Sequence, residues 1–273
     1  MINLLDCVEK YKSNGLDEIY ANAKVCQDVI LTHIFKSNYR NHITVKGGLV
    51  MFNLTNDLRR ATVDIDFDLI RISIADNEIY KIFEKSNLKG ININVDIAGI
   101  KELSHQDYKG KRIPLSITDT FGNRLSIIID VGVHTEYNIL QDELCFDTGI
   151  EKESLNLLVN SKEQIFVEKI IPLVRFGAVS TRYKDLFDIY WLIKNTDMDK
   201  EKINVILREK VFFFGINDIY NINNLITLFE KTLSKSDFIK KLMNRKNNWL
   251  DINDKELKNT ITNYLESLIG VEI

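Results

Sequence analysis

A chain of 273 residues, 45% of them hydrophobic, can bury a sizeable core and lies near the length at which a second compact unit is expected. With 36 Lys and Arg against 39 Asp and Glu the net charge is −3, which argues against a dedicated nucleic-acid binder while leaving room for a local basic lip. No run approaches the roughly 18 apolar residues of a membrane helix, the first ten residues lack a signal-peptide pattern, and Cys7, Cys26 and Cys145 have neither CxxC nor metal spacing, so no membrane partner is expected, and a cytoplasmic protein with three buried thiols is.

In chain order, residues 2–11 predict a short helix and residues 15–37 a longer one, with Leu16, Ile19, Tyr20, Cys26, Ile30, Ile34 and Phe35 as its apolar stripe. His33 and His42 fit hydrogen-bonded or surface roles better than metal ligation. Ile43 and Val45 begin a short strand that ends in the turn Lys46-Gly47-Gly48, after which Leu49 to Leu54 open a helix. Most Gly-Gly pairs are only turns. At a strand-to-helix junction, however, glycines let a phosphate approach bare N–H groups at a helix start.

Val63, Ile65, Phe67 and Leu69 then alternate with Asp64, Asp66 and Asp68, a strand pattern that puts the three carboxylates on one face. Such a face is either solvated or holds a cation, and a hard ion such as Mg²⁺ prefers carboxylate oxygens. A Gly-Gly turn, a helix and then an Asp-x-Asp strand resemble the nucleotidyltransferase (polymerase-beta-like) pattern, with a slightly long spacing between glycines and acids.

Asp76 to Asn87 predicts an amphipathic helix and residues 91–98 a strand. Residues 101–112 read as a loop carrying a basic cluster of Lys109, Lys111 and Arg112. Residues 113–119 and 124–133 predict a hairpin around Phe121-Gly122-Asn123. In its second strand Asp130 is the only charge between Arg124 and His134, and burying it requires a partner. It is either a third metal carboxylate or a strand-end cap beside Gly132.

From about residue 160 the period becomes helical. Ser161 and Gln164 form a capping-box start, and the helix runs to about residue 176 with Pro172 expected to kink it. Lys169 shares a face with Ile165, Pro172 and Phe176, so it either snorkels or reaches a phosphate cleft, to which Arg175 and Arg182 would add charge. Residues 182–193 predict a central helix whose one polar stripe is Lys184, Asp185 and Asp188: a narrow wet face, or one from which Asp185 fixes Lys169 or a substrate. Residues 199–273 predict further helices, with Lys240, Lys241, Arg245 and Lys246 as a basic, mostly solvated face. The expected fold is α+β: a mixed sheet with flanking helices over residues 1–155, and a helical C-terminal region over 156–273.

Lys-Gly-Gly-Leu, Asp-Ile-Asp-Phe-Asp-Leu, Val-Glu-Lys-Ile and Lys-Asp-Leu-Phe-Asp-Ile-Tyr-Trp together resemble the AbiEii/AbiGii family of nucleotidyltransferase toxins from type IV toxin–antitoxin and phage-abortive systems, to which the MenT toxins are related. The resemblance covers about residues 40–195. It implies that Asp64 and Asp66 bind metal (Mg²⁺ or Mn²⁺) and nucleotide, that Lys46, Gly47 and Gly48 form the phosphate turn, and that Lys169 and Asp185 are the helix lysine and motif aspartate. Here Lys184 replaces the family's Arg and Phe187 its Tyr, and a lysine cannot make bidentate contacts. The family does not settle a third carboxylate, so Asp130 rests on the strand pattern. The implied function is transfer of a nucleoside monophosphate from an NTP to a hydroxyl, with a tRNA 3′ end as acceptor and a cognate antitoxin as partner. Two rivals are a nucleotide-binding interaction protein without transfer activity, and a phosphotransferase acting on small molecules.

Overall fold

A computed structural model describes residues 1–84, 86, 88–103, 110–134 and 141–271, which separate into two compact units, Met1–Asn160 and Ser161–Ile273. The first unit carries helices α1 (Leu4–Ser13), α2 (Glu18–Phe35), α3 (Gly47–Thr55) and α4 (Asp76–Phe83). Its strands are β1 (Ile43–Lys46), β2 (Ile65–Leu69), β3 (Ile91–Val95), β4 (Lys101–Leu103), β5 (Gly110–Asp119), β6 (Arg124–Val133), β7 (Asp142–Phe146) and β8 (Leu155–Val159). They form one mixed sheet in the order β3-β5-β6-β2-β1-β8-β7, with β4 also on β5; β2 runs parallel to β6 and β1 parallel to β8. This is the α+β arrangement expected.

The alternation read from the sequence is the pleat of this sheet. Val45, Phe67 and Val131 lie on one buried face, as do Ile65 and Ile129 in the next row. Burying one such side chain contributes about 1.5–3 kcal/mol, so a one-residue slip that turned all of them outward is strongly disfavoured. The β5–β6 hairpin turns where expected, with Gly122 at φ 85°. Asp119 anchors it, accepting N–H bonds from Phe121 and Asn123 and a third from Leu4 at the start of α1. Burial pushes this carboxyl up, yet the hydrogen bonds from Leu4, Asn123 and Phe121 outweigh it and leave it below the ordinary range. Its support for the fold is present at neutral pH and is lost as pH falls through that depressed value.

Several expectations need correction. Residues 101–103 are β4 and residues 110–112 open β5, so the described part of the predicted loop is strand; residues 104–109, Lys109 included, lie outside the described residues. Lys111 and Arg112 are not a solvated cluster, since they pair with Asp76 and Asp130. β7 and β8 were not anticipated, and β8 carries residues 156–159 into the sheet unit through its parallel pairing with β1. α2 is buried nearly all round from Ala21 to Ile34, whereas Ile19 of the expected stripe is exposed. Its interior Asp28 tolerates full burial because Lys24, the Tyr11 hydroxyl and the Gly149 N–H all point at it. Of the cysteines only Cys26 is buried, and Cys145 is exposed. His33 is buried, its Nε2 2.6 Å from the Ile82 carbonyl oxygen.

The second unit is helical: α5 (Lys162–Phe176), α6 (Tyr183–Asn195), α7 (Lys200–Leu207), α8 (Ile222–Leu233), α9 (Ser236–Leu242) and α10 (Asp254–Glu266). The Ser161–Gln164 capping box is present, and α5 continues as one helix through Pro172. Among the described residues no helix is long and apolar enough to cross a membrane.

Candidate active site

Register brings the charged residues of the first unit into one row. Lys46 on β1 is opposite Asp66 on β2, Asp66 is opposite Asp130 on β6, and Asp130 is opposite Arg112 on β5. Residues directly opposite each other share a face of the sheet, so four strands present charges in the sequence plus, minus, minus, plus. Asp64 precedes β2 by one residue and is exposed; Asp66 is half-buried. Two carboxylates on neighbouring strands about 5 Å apart repel by about 3 kcal/mol at an effective dielectric of 20. The flanking cations offset that repulsion.

Arg112 does so directly. Its Nε donates to Asp130 Oδ1 at 2.8 Å and its Nη2 to Asp130 Oδ2 at 2.7 Å, a two-point grip that fixes the carboxylate plane. The Asp130 hydrogen bonds and charge raise the guanidinium pKa, with smaller contributions from Asp64 and Asp66, which are therefore within electrostatic reach of Arg112. The row thus presents an ion pair at Asp130. Among the described residues no three His, Cys, Asp or Glu side chains are arranged to hold a metal ion.

Lys46 directs its ammonium to Asp68 at 2.8 Å. Asp68 is 3% exposed, not the solvated outer carboxylate that alternation alone suggested. The polar face of β2 is thus buried at one end and open at the other.

Beside the open end α3 begins. Gly47 has φ +68°, and a Cβ there would sit 2.2 Å from Asp66 Oδ2. Glycine is needed twice over, for its left-handed backbone and because the Asp66 carboxylate fills the space a side chain would take. A Cβ on Gly48 would lie 2.9 Å from Thr62 Oγ1. The α3 N-terminus, the glycine turn and Asp66 are therefore one packed feature. A carboxylate pair at Asp64 and Asp66 suits Mg²⁺ or Mn²⁺, since Mg²⁺ is commonly held by one or two carboxylates, with water and substrate phosphate oxygens completing its shell.

The second unit has its own charged cluster. Lys169 on α5 is buried, with Nζ 2.9 Å from Asp185 Oδ1 and 2.6 Å from Asp188 Oδ2, both on α6. The Asp185 contact matches one reading of the sequence. Asp188 was missed: it is 0% exposed, not part of a wet stripe with Lys184. Its signal in the sequence was the apolar pair Trp191 and Leu192, three and four positions on, which share its helix face. Arg182 is exposed at the start of α6.

A family profile described as "Nucleotidyl transferase AbiEii toxin, Type IV TA system" matches residues 29–265. No curated protein matches the sequence. Among solved structures, the chain is similar to MenT4, a nucleotidyltransferase toxin from Mycobacterium tuberculosis H37Rv, with a TM-score of 0.57 and 14% identity over 99% of each chain. It also matches an antigenic nucleotidyltransferase-like protein from Paracoccidioides brasiliensis, with a TM-score of 0.46 and 16% identity over 81% of this chain and 92% of the other. The MenT4 likeness supports the fold.

Proposed function

We propose a specific reaction for a chain that belongs to the AbiEii nucleotidyl transferase toxin family of type IV toxin–antitoxin systems: metal-dependent transfer of a nucleoside monophosphate from an NTP to a hydroxyl, with a tRNA 3′ end as the acceptor. The supporting observation is the row itself, in which Asp66 is packed against Gly47 at the start of α3 and lies beside Asp130 across the β2–β6 register. Family membership makes the protein a nucleotidyltransferase toxin, which removes the reading of a binding protein without transfer activity. It also implies an antitoxin partner and an NTP substrate.

In this proposal Asp64 and Asp66 hold Mg²⁺ or Mn²⁺ against the triphosphate. When bound, the metal offsets charge that develops at the α-phosphate and on departing pyrophosphate. Gly47 and Gly48 leave main-chain N–H groups at the helix start open to phosphate oxygens. Asp130, oriented by Arg112, takes the proton of the attacking hydroxyl. Lys46 acts indirectly, holding Asp68 and with it the buried end of β2. Lys169 and Asp185 keep the roles that the resemblance passes to them, and Arg182 adds positive charge for phosphate.

Purified protein incubated with Mg²⁺, each labelled NTP in turn and total tRNA is expected to label tRNA with at least one NTP, with labelling abolished by EDTA. Labelled protein and unlabelled RNA would place the acceptor elsewhere; no label on either removes the reaction. In the same assay Gly47→Ala is expected to lower the rate about tenfold or more. The added methyl must displace the Asp66 carboxylate, and the left-handed backbone costs about 1–2 kcal/mol with any L side chain. A Gly47→Ala protein with unchanged rate and unchanged denaturation midpoint would contradict the packed geometry.

A further inference from the structure

The second unit contains a cavity of about 540 Å³, remote in composition from its Lys169 cluster and bordered by Asn204, Arg208, Phe213, Tyr220, Asn223 and Ile269. That volume suits a ligand of nucleotide size. The chain around it is unusual in two respects. A π-helical turn, Arg208–Phe212, follows α7 directly, and such turns concentrate at functional sites. Gly215, Asn217 and Asp218 all have left-handed backbones, at φ 57°, 53° and 61°. This strain persists because the loop is pinned: Asn217 Nδ2 donates to the carbonyls of Val174 at 2.7 Å and Arg175 at 2.9 Å, and the Tyr220 ring packs so closely on Gly215 that a Cβ would lie 2.4 Å from it.

The pinned loop holds aromatic rings in water. Phe213 is 83% exposed and Tyr220 58%, and the Phe213 ring meets that of Phe214 edge to face at 5.4 Å. Burying these rings would have been favourable, and the fold instead fixes them at a cavity mouth. Asn204 adds a buried amide whose Nδ2 donates to the Leu268 carbonyl at 3.0 Å, while its Oδ1 has no donor among the described residues. Arg208 supplies a positive charge, and among the described residues no carboxylate lines the cavity.

Planar rings for stacking, amides with both donors and acceptors, and one guanidinium form a set that matches an aromatic heterocycle carrying a phosphate. We propose that this cavity binds the base and phosphate of a nucleotide, the ring stacking on Phe213 and Tyr220, its polar edge meeting the Asn223 amide, and its phosphate pairing with Arg208. An apolar peptide would use the rings but leave the arginine and the amides without a purpose. The nucleotide comes either free or as part of a single-stranded RNA. The inference does not rest on the reaction proposed for the first unit.

The test uses the full chain in EDTA, with Asp64→Ala and Asp66→Ala introduced so that metal-dependent binding in the first unit does not contribute. Fluorescence polarisation of a labelled hexaadenylate is expected to show saturable binding. Phe213→Ala weakens it about tenfold, and Arg208→Gln weakens it similarly and flattens its salt dependence. Neither change should alter the denaturation midpoint appreciably, because Phe213 is mostly exposed. Competition by AMP as effective as that by unlabelled oligonucleotide assigns the site to free nucleotide; competition by the oligonucleotide alone assigns it to a strand. The proposal is overturned if neither ligand binds, if both variants bind as well as their parent, or if an amphipathic Leu-rich peptide binds there without competition from AMP or the oligonucleotide.

Discussion

Asp66→Ala lowers nucleotide transfer by about a thousandfold or more. The carboxylate sits at the meeting point of three features: the glycine turn that opens α3, the β1 register partner Lys46, and the β6 register partner Asp130. An ion that stabilises transition-state charge is worth several kcal/mol, and each 1.36 kcal/mol is a factor of ten in rate. Asp66→Asn is expected to be nearly as inactive, since it keeps the shape and removes the charge. Stability should move the other way. Taking one of two neighbouring negative charges out of the row relieves repulsion, so in metal-free buffer the Asn variant is expected to match or exceed its parent in urea midpoint. Transfer that stays within tenfold of the parent rate would show that the chemistry occurs elsewhere.

Lys169→Met destabilises the second unit by about 3–5 kcal/mol, because it strands Asp188, which has no access to solvent, without its counter-ion. Asp185 is better placed to survive, since its side chain keeps 15% of its exposure. The double variant Lys169→Met with Asp188→Leu is therefore expected to recover most of the lost stability, because an apolar pair of similar volume can replace a buried ion pair at little net cost. Transfer activity should remain lost in the double variant if Lys169 handles nucleotide, and should return with stability if the lysine only holds the helices together. Urea denaturation and the labelling assay, run on both variants, separate the two roles.

Much of the architecture could be read from local pattern. The β2 alternation, the glycine turn, the hairpin at Phe121-Gly122-Asn123 and the Ser161 capping box each depend on residues within a few positions of one another. What stayed hidden depends on partners distant in the chain. Nothing near Asp130 shows that Arg112 will lie opposite it, and nothing near Lys46 shows that it will turn to Asp68. β8 reads Leu-Asn-Leu-Leu-Val, too short and too uniformly apolar to distinguish strand from helix. α2 reads as a single apolar stripe, yet its burial from Ala21 to Ile34 extends to polar residues such as Gln27, Asp28 and His33, which have partners far off in the chain. The acids of the candidate site were thus legible as a motif, while the cations that organise them were not.

The parallel pairing of β2 with β6 has a consequence for how this toxin is made. Asp66 and its β1 neighbour meet early, through a nearby chain reversal. Asp130 reaches them only after a long excursion through α4, β3, β4 and β5, and long-range pairings of that kind form late. A polypeptide still emerging from the ribosome therefore has Lys46 and Asp66 side by side long before Asp130 arrives. The row of Lys46, Asp66, Asp130 and Arg112 is thus complete only once β6 has been made and paired with β2 and β5.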